Sequence, residues 1–241
     1  MNKLRETNEV ILEILENARR YNVSYRDFFY LLIKSYGYRY NGSLTLRRDV
    51  VEKILSDMNR LTEIVRKLPD TLNLLKKRVK ALARSGYNPF LVDCLGFPEV
   101  YELYRQVIGK CGILSVKIEA YVNVRAMTYR FTETFHSVSM AEIARELGTS
   151  LYKSMDKMVH HEFGEPMDLK HLIGRAKARL KVYVDELVRD VVSKRKAVVV
   201  ADHGYDVYCS EDYNYYLGHG RGARFAKISP LIIVVCDAWR F

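Results

Sequence analysis

No apolar run in this chain approaches the roughly 20 residues that a membrane-spanning helix needs, so no such span is expected. The opening Met1-Asn-Lys-Leu-Arg-Glu6 is charged and lacks the apolar segment of a secretory signal, which points to a cytoplasmic location. Cysteine is scarce: Cys94, Cys111, Cys209 and Cys236 stand far apart with no CxxC spacing. That pattern fits buried thiols in a reducing cytosol rather than a disulfide scaffold or a zinc knuckle. Glutamine occurs once, at Gln106, beside abundant Lys, Arg and Glu, a balance associated with growth at high temperature. There is no internal repeat and no low-complexity segment.

What the chain does have is enough apolar residue for a sizeable core, 49% of 241 positions, and a net charge of +10. The charge is unevenly spread. Residues 1–85 hold 18 Lys/Arg against 10 Asp/Glu, so +8 of it lies there. A basic segment beside a near-neutral one suggests a polyanionic partner such as nucleic acid, or a solvated helical face. Protein partners are also possible for it.

Helical spacing places Leu4, Val10, Ile11, Ile14, Leu15 and Ala18 on one face of residues 4–20. Ser24 is placed to cap a second helix, Tyr36–Gly42 is a turn-rich break, and helices follow at 47–67 and 70–84. Asp70 or Thr71 can cap the last of these. Ser85-Gly86-Tyr-Asn-Pro89 then sets the expected boundary between a basic helical module, 1–84, and an α/β core, 85–241. In that core, apolar strands are predicted at 90–92, 113–122, 197–201 and 230–236. Helices are predicted at 98–108, at 139–148 with Ser139 and Glu142 at capping-box spacing, and at 168–192. Strands alternating with helices predict a mostly parallel sheet covered on both faces.

Ligands of open α/β sheets sit beyond the carboxyl ends of the strands. Two strands here end in acid, at Asp93 and at Asp202-His203-Gly204, where the glycine lets the backbone turn away. Thr128 follows a third strand, Asp156 and His160 stand four apart, and His219 precedes Gly220. One hydroxyl with two sets of carboxylate and imidazole suits a pair of divalent ions, zinc or manganese for such mixed oxygen and nitrogen donors. Asp206 and Asp212, near the Tyr-rich loop 205–216, are expected to be solvated, and His136 and His161 to be bystanders.

This ordered set resembles the alkaline phosphatase superfamily, in particular its PglZ-type branch and the nucleotide pyrophosphatase/phosphodiesterases. The matching order is a strand-end Asp93, a Thr128 nucleophile 35 residues later, Asp156-x-x-x-His160, Asp202-His203-Gly204 and His219-Gly220. The tail from His219 into Pro230-Leu-Ile-Ile-Val also resembles the PglZ-type closing segment. The resemblance covers residues 86–236. It implies an alkaline-phosphatase-like core that hydrolyses phosphoesters, as a phosphodiesterase, nuclease or phosphatase. It also implies one ion held by Asp156, His160 and His219, a second by Asp93, Asp202 and His203, and an association with phage defence. Arg125 or Arg130 would touch the substrate phosphate. Val159 stands where phosphodiesterases carry glycine, His161 is an alternative to His160, and Thr132 and Thr134 compete with Thr128. The same resemblance admits an inactive PglZ-like interaction protein.

Residues 139–159 also resemble a helix-turn-helix, with Ala144 and Gly148 where small residues are needed. On that alternative the chain is a DNA-binding regulator without metal, and Lys153 and Lys157 face DNA.

Overall fold

A computed structural model describes residues 2–38, 44–220 and 222–236. The tail of the expected turn at 36–42 and the last five residues of the expected core lie outside these. The helices α1 (Asn2–Arg20), α2 (Tyr25–Ser35), α3 (Arg48–Arg66) and α4 (Leu72–Arg84) precede the first strand, β1 (Asn88–Val92). There follow α5 (Phe97–Cys111), β2 (Val116–Val122), α6 (Thr128–Phe135), α7 (Met140–Leu147), β3 (Ser150–Tyr152) and α8 (Ser154–His161). The chain continues through α9 (Leu169–Val192), β4 (Lys196–Ala201), the hairpin β5 (Asp206–Cys209) and β6 (Tyr215–Gly218), and β7 (Ile228–Val235).

Local chemistry sets several of these boundaries. The Ser24 hydroxyl accepts the Asp27 N–H at 3.0 Å, and Ser139 accepts that of Glu142 at 3.2 Å. Asp168 accepts the His171 N–H at 3.0 Å to open α9. At α4, Asp70 rather than Thr71 supplies the oxygen, accepting the Leu72 N–H at 3.0 Å.

The fold is α/β, built on a five-stranded sheet in the order β2-β7-β4-β1-β3. The sheet is mixed. β1 pairs in parallel with β3 and β4, whereas β7 runs antiparallel to both β4 and β2. Antiparallel β7 was not readable from its sequence, because a fully apolar strand carries no mark of direction. Since only β7 is reversed, β1, β2, β3 and β4 deliver their carboxyl ends to one edge. Val92 and Ala201 are register partners, so Asp93 and Asp202 leave the sheet side by side.

Alternate residues of each strand enter different clusters, as the two-residue period of a strand requires. Leu91, Val198, Val200, Leu231 and Ile233 pack under α4, α6 and α7. Phe90, Val92, Val199, Ala201 and Ile232 pack on the other face with α1, α2, α3, α5 and α9. Residue 85 is therefore where helices give way to strands, while the core runs on across it. Tyr101 donates to the Val23 carbonyl at 2.7 Å, and Asn8 accepts the Ala120 N–H at 2.7 Å.

Two expectations are corrected. Cys111 and Cys236 form a disulfide, with Cα atoms 5.0 Å apart, leaving Cys94 and Cys209 free. The end of α5 and the end of β7 meet across 125 residues, which sequence spacing does not reveal. The helix-turn-helix also fails. After α7, Gly148 turns left-handed (φ 63°) and Ser150–Tyr152 joins the sheet beside β1. A strand stands where the second helix would have to begin. No helix among the described residues is long and apolar enough to cross a membrane.

Candidate metal and nucleophile site

Beyond the carboxyl edge, four turns converge. Asp93 follows β1, Thr128 opens α6 after β2, Asp156 lies in the first turn of α8, and Asp202-His203 follows β4. Thr128 Oγ1 lies 3.3 Å from Asp93 Oδ1 and 3.1 Å from His203 Nε2. Asp156 Oδ1 lies 3.2 Å from His219 Nε2 and 3.5 Å from His160 Nε2, and the two Nε2 atoms are 2.8 Å apart. The His203 and His219 rings stand 4.2 Å apart between centroids, so the two groups adjoin.

The imidazoles are oriented from behind. His203 Nδ1 donates to the Gly204 carbonyl at 2.9 Å, and His219 Nδ1 to the Ala126 carbonyl at 2.9 Å. A carbonyl only accepts, so in a neutral ring each Nε2 is left as a lone pair aimed into the site. Metal-ligating histidines are commonly held this way. Two turns here carry left-handed backbone at residues other than glycine, Cys94 (φ 65°) and Ala126 (φ 49°). Such strain persists only where the surroundings enforce it. The first of these turns is tied by the Cys94 N–H donating to Asp202 Oδ1 at 3.0 Å.

The charges are crowded, and no Lys or Arg among the described residues pairs with them. Among the described residues, only histidines come within ion-pair distance of Asp93, Asp156 or Asp202. Burial, with Asp202 and Asp156 nearby, lifts the Asp93 carboxyl to about 7. Burial likewise lifts Asp202 to about 7, and burial with His219 lowers His203 to about 4. Burial alone would raise Asp156, but the bond to His219 and the other imidazoles hold it below its usual range. Burial alone would lower His219, and Asp156 raises it instead.

A divalent cation fits these residues. Asp202 Oδ2 is buried without a hydrogen-bond donor and lies 3.2 Å from His203 Nε2. Two lone pairs so close repel unless a proton or a cation lies between them. Two donors each about 2.1 Å from a tetrahedral zinc stand about 3.4 Å apart, close to this spacing. Asp156, His160 and His219 bring one donor atom each within 4.8 Å of one another, and so do Asp93, Asp156 and His203. Asp156 thus stands near both groups, where the sequence reading gave it to one.

The competing residues fall away. Thr132 and Thr134 spend their hydroxyls on the carbonyls of Tyr129 (3.0 Å) and Arg130 (2.9 Å) within α6. His160, itself exposed, joins Asp156 and His219, whereas His161 does not. Arg130 is tied to Asp70 at 3.0 Å and Glu133 at 2.7 Å, while Arg125 is exposed and lies over the Tyr129 ring.

Asp206 is a correction. It is buried, not solvated, and accepts the N–H groups of Arg224 (2.7 Å), Phe225 (2.9 Å) and Ala226 (3.3 Å) and the Tyr36 hydroxyl. It thereby anchors the segment following His219. The sequence carried no signal for this, because its partners are backbone N–H groups about 20 residues away and a hydroxyl 170 residues away. Asn123 was also missed. It is fully buried, and its amide donates to the carbonyls of Met127 and Asp202, both at 3.0 Å.

Compared with models of known protein families and with curated proteins, the chain matches none.

Proposed function

We propose that the protein is a metal-dependent phosphoester hydrolase of alkaline-phosphatase-like type, with Thr128 as its nucleophile. The observation that carries this reading is the meeting of Thr128 Oγ1 with Asp93 and His203, beside Asp156, His160 and His219. Asp156, His160 and His219 would hold one divalent cation, and Asp93, Asp202 and His203 a second, zinc or manganese by their donors. Such cations supply positive charge that eases ionisation of a neighbouring hydroxyl and offsets charge growing on phosphate oxygens.

The chain's own groups do the rest. Thr128 is held at the start of α6, with its hydroxyl against Asp93 and His203. Oγ1 attacks phosphorus, the bond to the leaving ester oxygen breaks opposite it, and the hydroxyl proton is lost to water. Water then cleaves the phosphothreonine and restores the hydroxyl. The bonds from His203 and His219 to backbone carbonyls keep both rings fixed throughout.

The test compares a bis-aryl with a mono-aryl phosphate ester, using protein purified without chelator and loaded with zinc or manganese. Thr128→Ala should lose at least about 100-fold in turnover while keeping its metal. Undiminished turnover in that variant would overturn the nucleophile. The ratio of diester to monoester turnover assigns the chain as phosphodiesterase or phosphatase. For the basic segment, exposed Arg20, Lys34, Arg66, Lys67 and Lys77 support a nucleic-acid partner. Binding of the full chain to labelled DNA or RNA should then weaken steeply with salt.

A further inference from the structure

One side chain outside both ligand groups joins the turn bearing Thr128 to the turn bearing His203. Asn123 follows β2 and is completely buried. Its Nδ2 has two hydrogens and spends both on carbonyls. One is Met127 O, immediately before Thr128; the other is Asp202 O, immediately before His203. The residues that follow these carbonyls are the pair whose Oγ1 and Nε2 stand 3.1 Å apart. The Asn123 main chain extends the link. Its N–H donates to the Lys227 carbonyl at 2.8 Å, and its carbonyl accepts the Ala126 N–H at 2.9 Å. That second bond closes the turn whose Ala126 carbonyl holds His219 Nδ1.

We infer that Asn123 is a positioning residue that sets Thr128 against His203 by clamping their two turns with one amide. This rests on the reading of Thr128 as nucleophile only for its effect on turnover. The clamp itself is independent of that reading.

The amide is required for its donors, not its shape. Turning it over would set Oδ1 against two carbonyl oxygens, so the orientation is fixed by its partners. Oδ1 is left buried without a donor, a cost the fold carries in order to place Nδ2. Aspartate has the same outline and, when ionised, no hydrogen to give. It would face two carbonyls with negative charge. A packing role would rank Asn123→Asp as milder than Asn123→Ala, whereas a clamping role ranks it as equal or worse.

The experiment uses the full chain with zinc or manganese bound, as wild type, Asn123→Ala and Asn123→Asp. Amide hydrogen exchange of the segments 123–129 and 202–205 is followed beside that of β4. Both segments should speed up together in both variants, by at least tenfold, with β4 unchanged. Turnover of the aryl phosphate esters should fall about 100-fold in kcat with KM within threefold of wild type and metal content retained. Faster exchange of 123–129 alone overturns the clamp, as does an Asn123→Asp protein that behaves like wild type. A wild type with no turnover would sink the hydrolase reading, and the exchange data would still decide the clamp. If Asn123→Ala fails to fold, Asn123→Ser, which keeps one hydroxyl donor, should hold one segment protected and release the other.

Discussion

Glu99 shows how burial sets the behaviour of single residues here. It lies in the first turn of α5, fully buried, with Tyr25 donating to its Oε1. Burial lifts its carboxyl from the ordinary 4.5 to about 7, although the tyrosine bonds act the other way. Between those pH values the native state holds a proton that the unfolded chain has released. Stability from this group is therefore full below about pH 4.5 and declines as pH rises toward 7, by about 3 kcal/mol in all. Denaturant midpoints of wild type and Glu99→Gln across pH 4.5–7.5 should diverge, the variant lacking this decline. Parallel curves would refute it. Asp206 makes a second residue-scale case. Asp206→Asn replaces an acceptor of three N–H groups and should cost about 2–3 kcal/mol. It should also weaken metal binding by Asp156, His160 and His219, read by titration with zinc, because the segment after His219 loses its anchor.

At the scale of elements, the chain is legible where the signal is local and opaque where it is not. The caps at Ser24 and Ser139 and the apolar runs of β1, β4 and β7 could be read because each depends on neighbours in sequence. The hairpin β5–β6 could not. Its Tyr-rich stretch reads as a loop, and its pairing is supported from outside by Met167 bridging to Tyr215. Nor could α8, eight residues long, whose Asp156-to-His160 spacing was visible but whose helix is held by Met155 and Val159 in the core. The site residues were readable as strand ends and ordered pairs. Asn123 and Asp206 were not, since their partners are backbone carbonyls and N–H groups that any sequence has and, for Asp206, the hydroxyl of distant Tyr36. The turn from β1 to α5 gives a prediction of its own. A Cβ on Gly96 would sit 2.1 Å from the ring of Tyr205, which is fully buried. Gly96→Ala should destabilise by about 3 kcal/mol, measured by denaturant unfolding. A change under about 0.5 kcal/mol would show that the ring can yield.

On the scale of the whole molecule, the disulfide and the site lie at opposite edges of the sheet. Cys236 follows Val235, the register partner of Lys196 at the start of β4, whereas Asp202 follows the end of β4. The bridge closes 125 residues, a loop for which chain entropy allows up to about 4–5 kcal/mol. Reduction, or Cys111→Ser, should lower the unfolding midpoint yet leave zinc stoichiometry and turnover at the native plateau unchanged. Loss of metal on reduction would show that the two edges communicate.

The position of β7 bears on how the protein is made. β7 lies between β4 and β2, and of the described strands it is the last in chain order. Until it arrives, β2 has no backbone partner in the sheet, and the Asn123 amide must reach the Asp202 carbonyl across an unfilled gap. A nascent chain carrying everything through β6 already contains Thr128 and the histidines and acids proposed to hold metal, but lacks the strand that spaces the turns bearing them. The order of synthesis thus acts as a timer: the proposed site is complete only once the closing strand has slid into the gap.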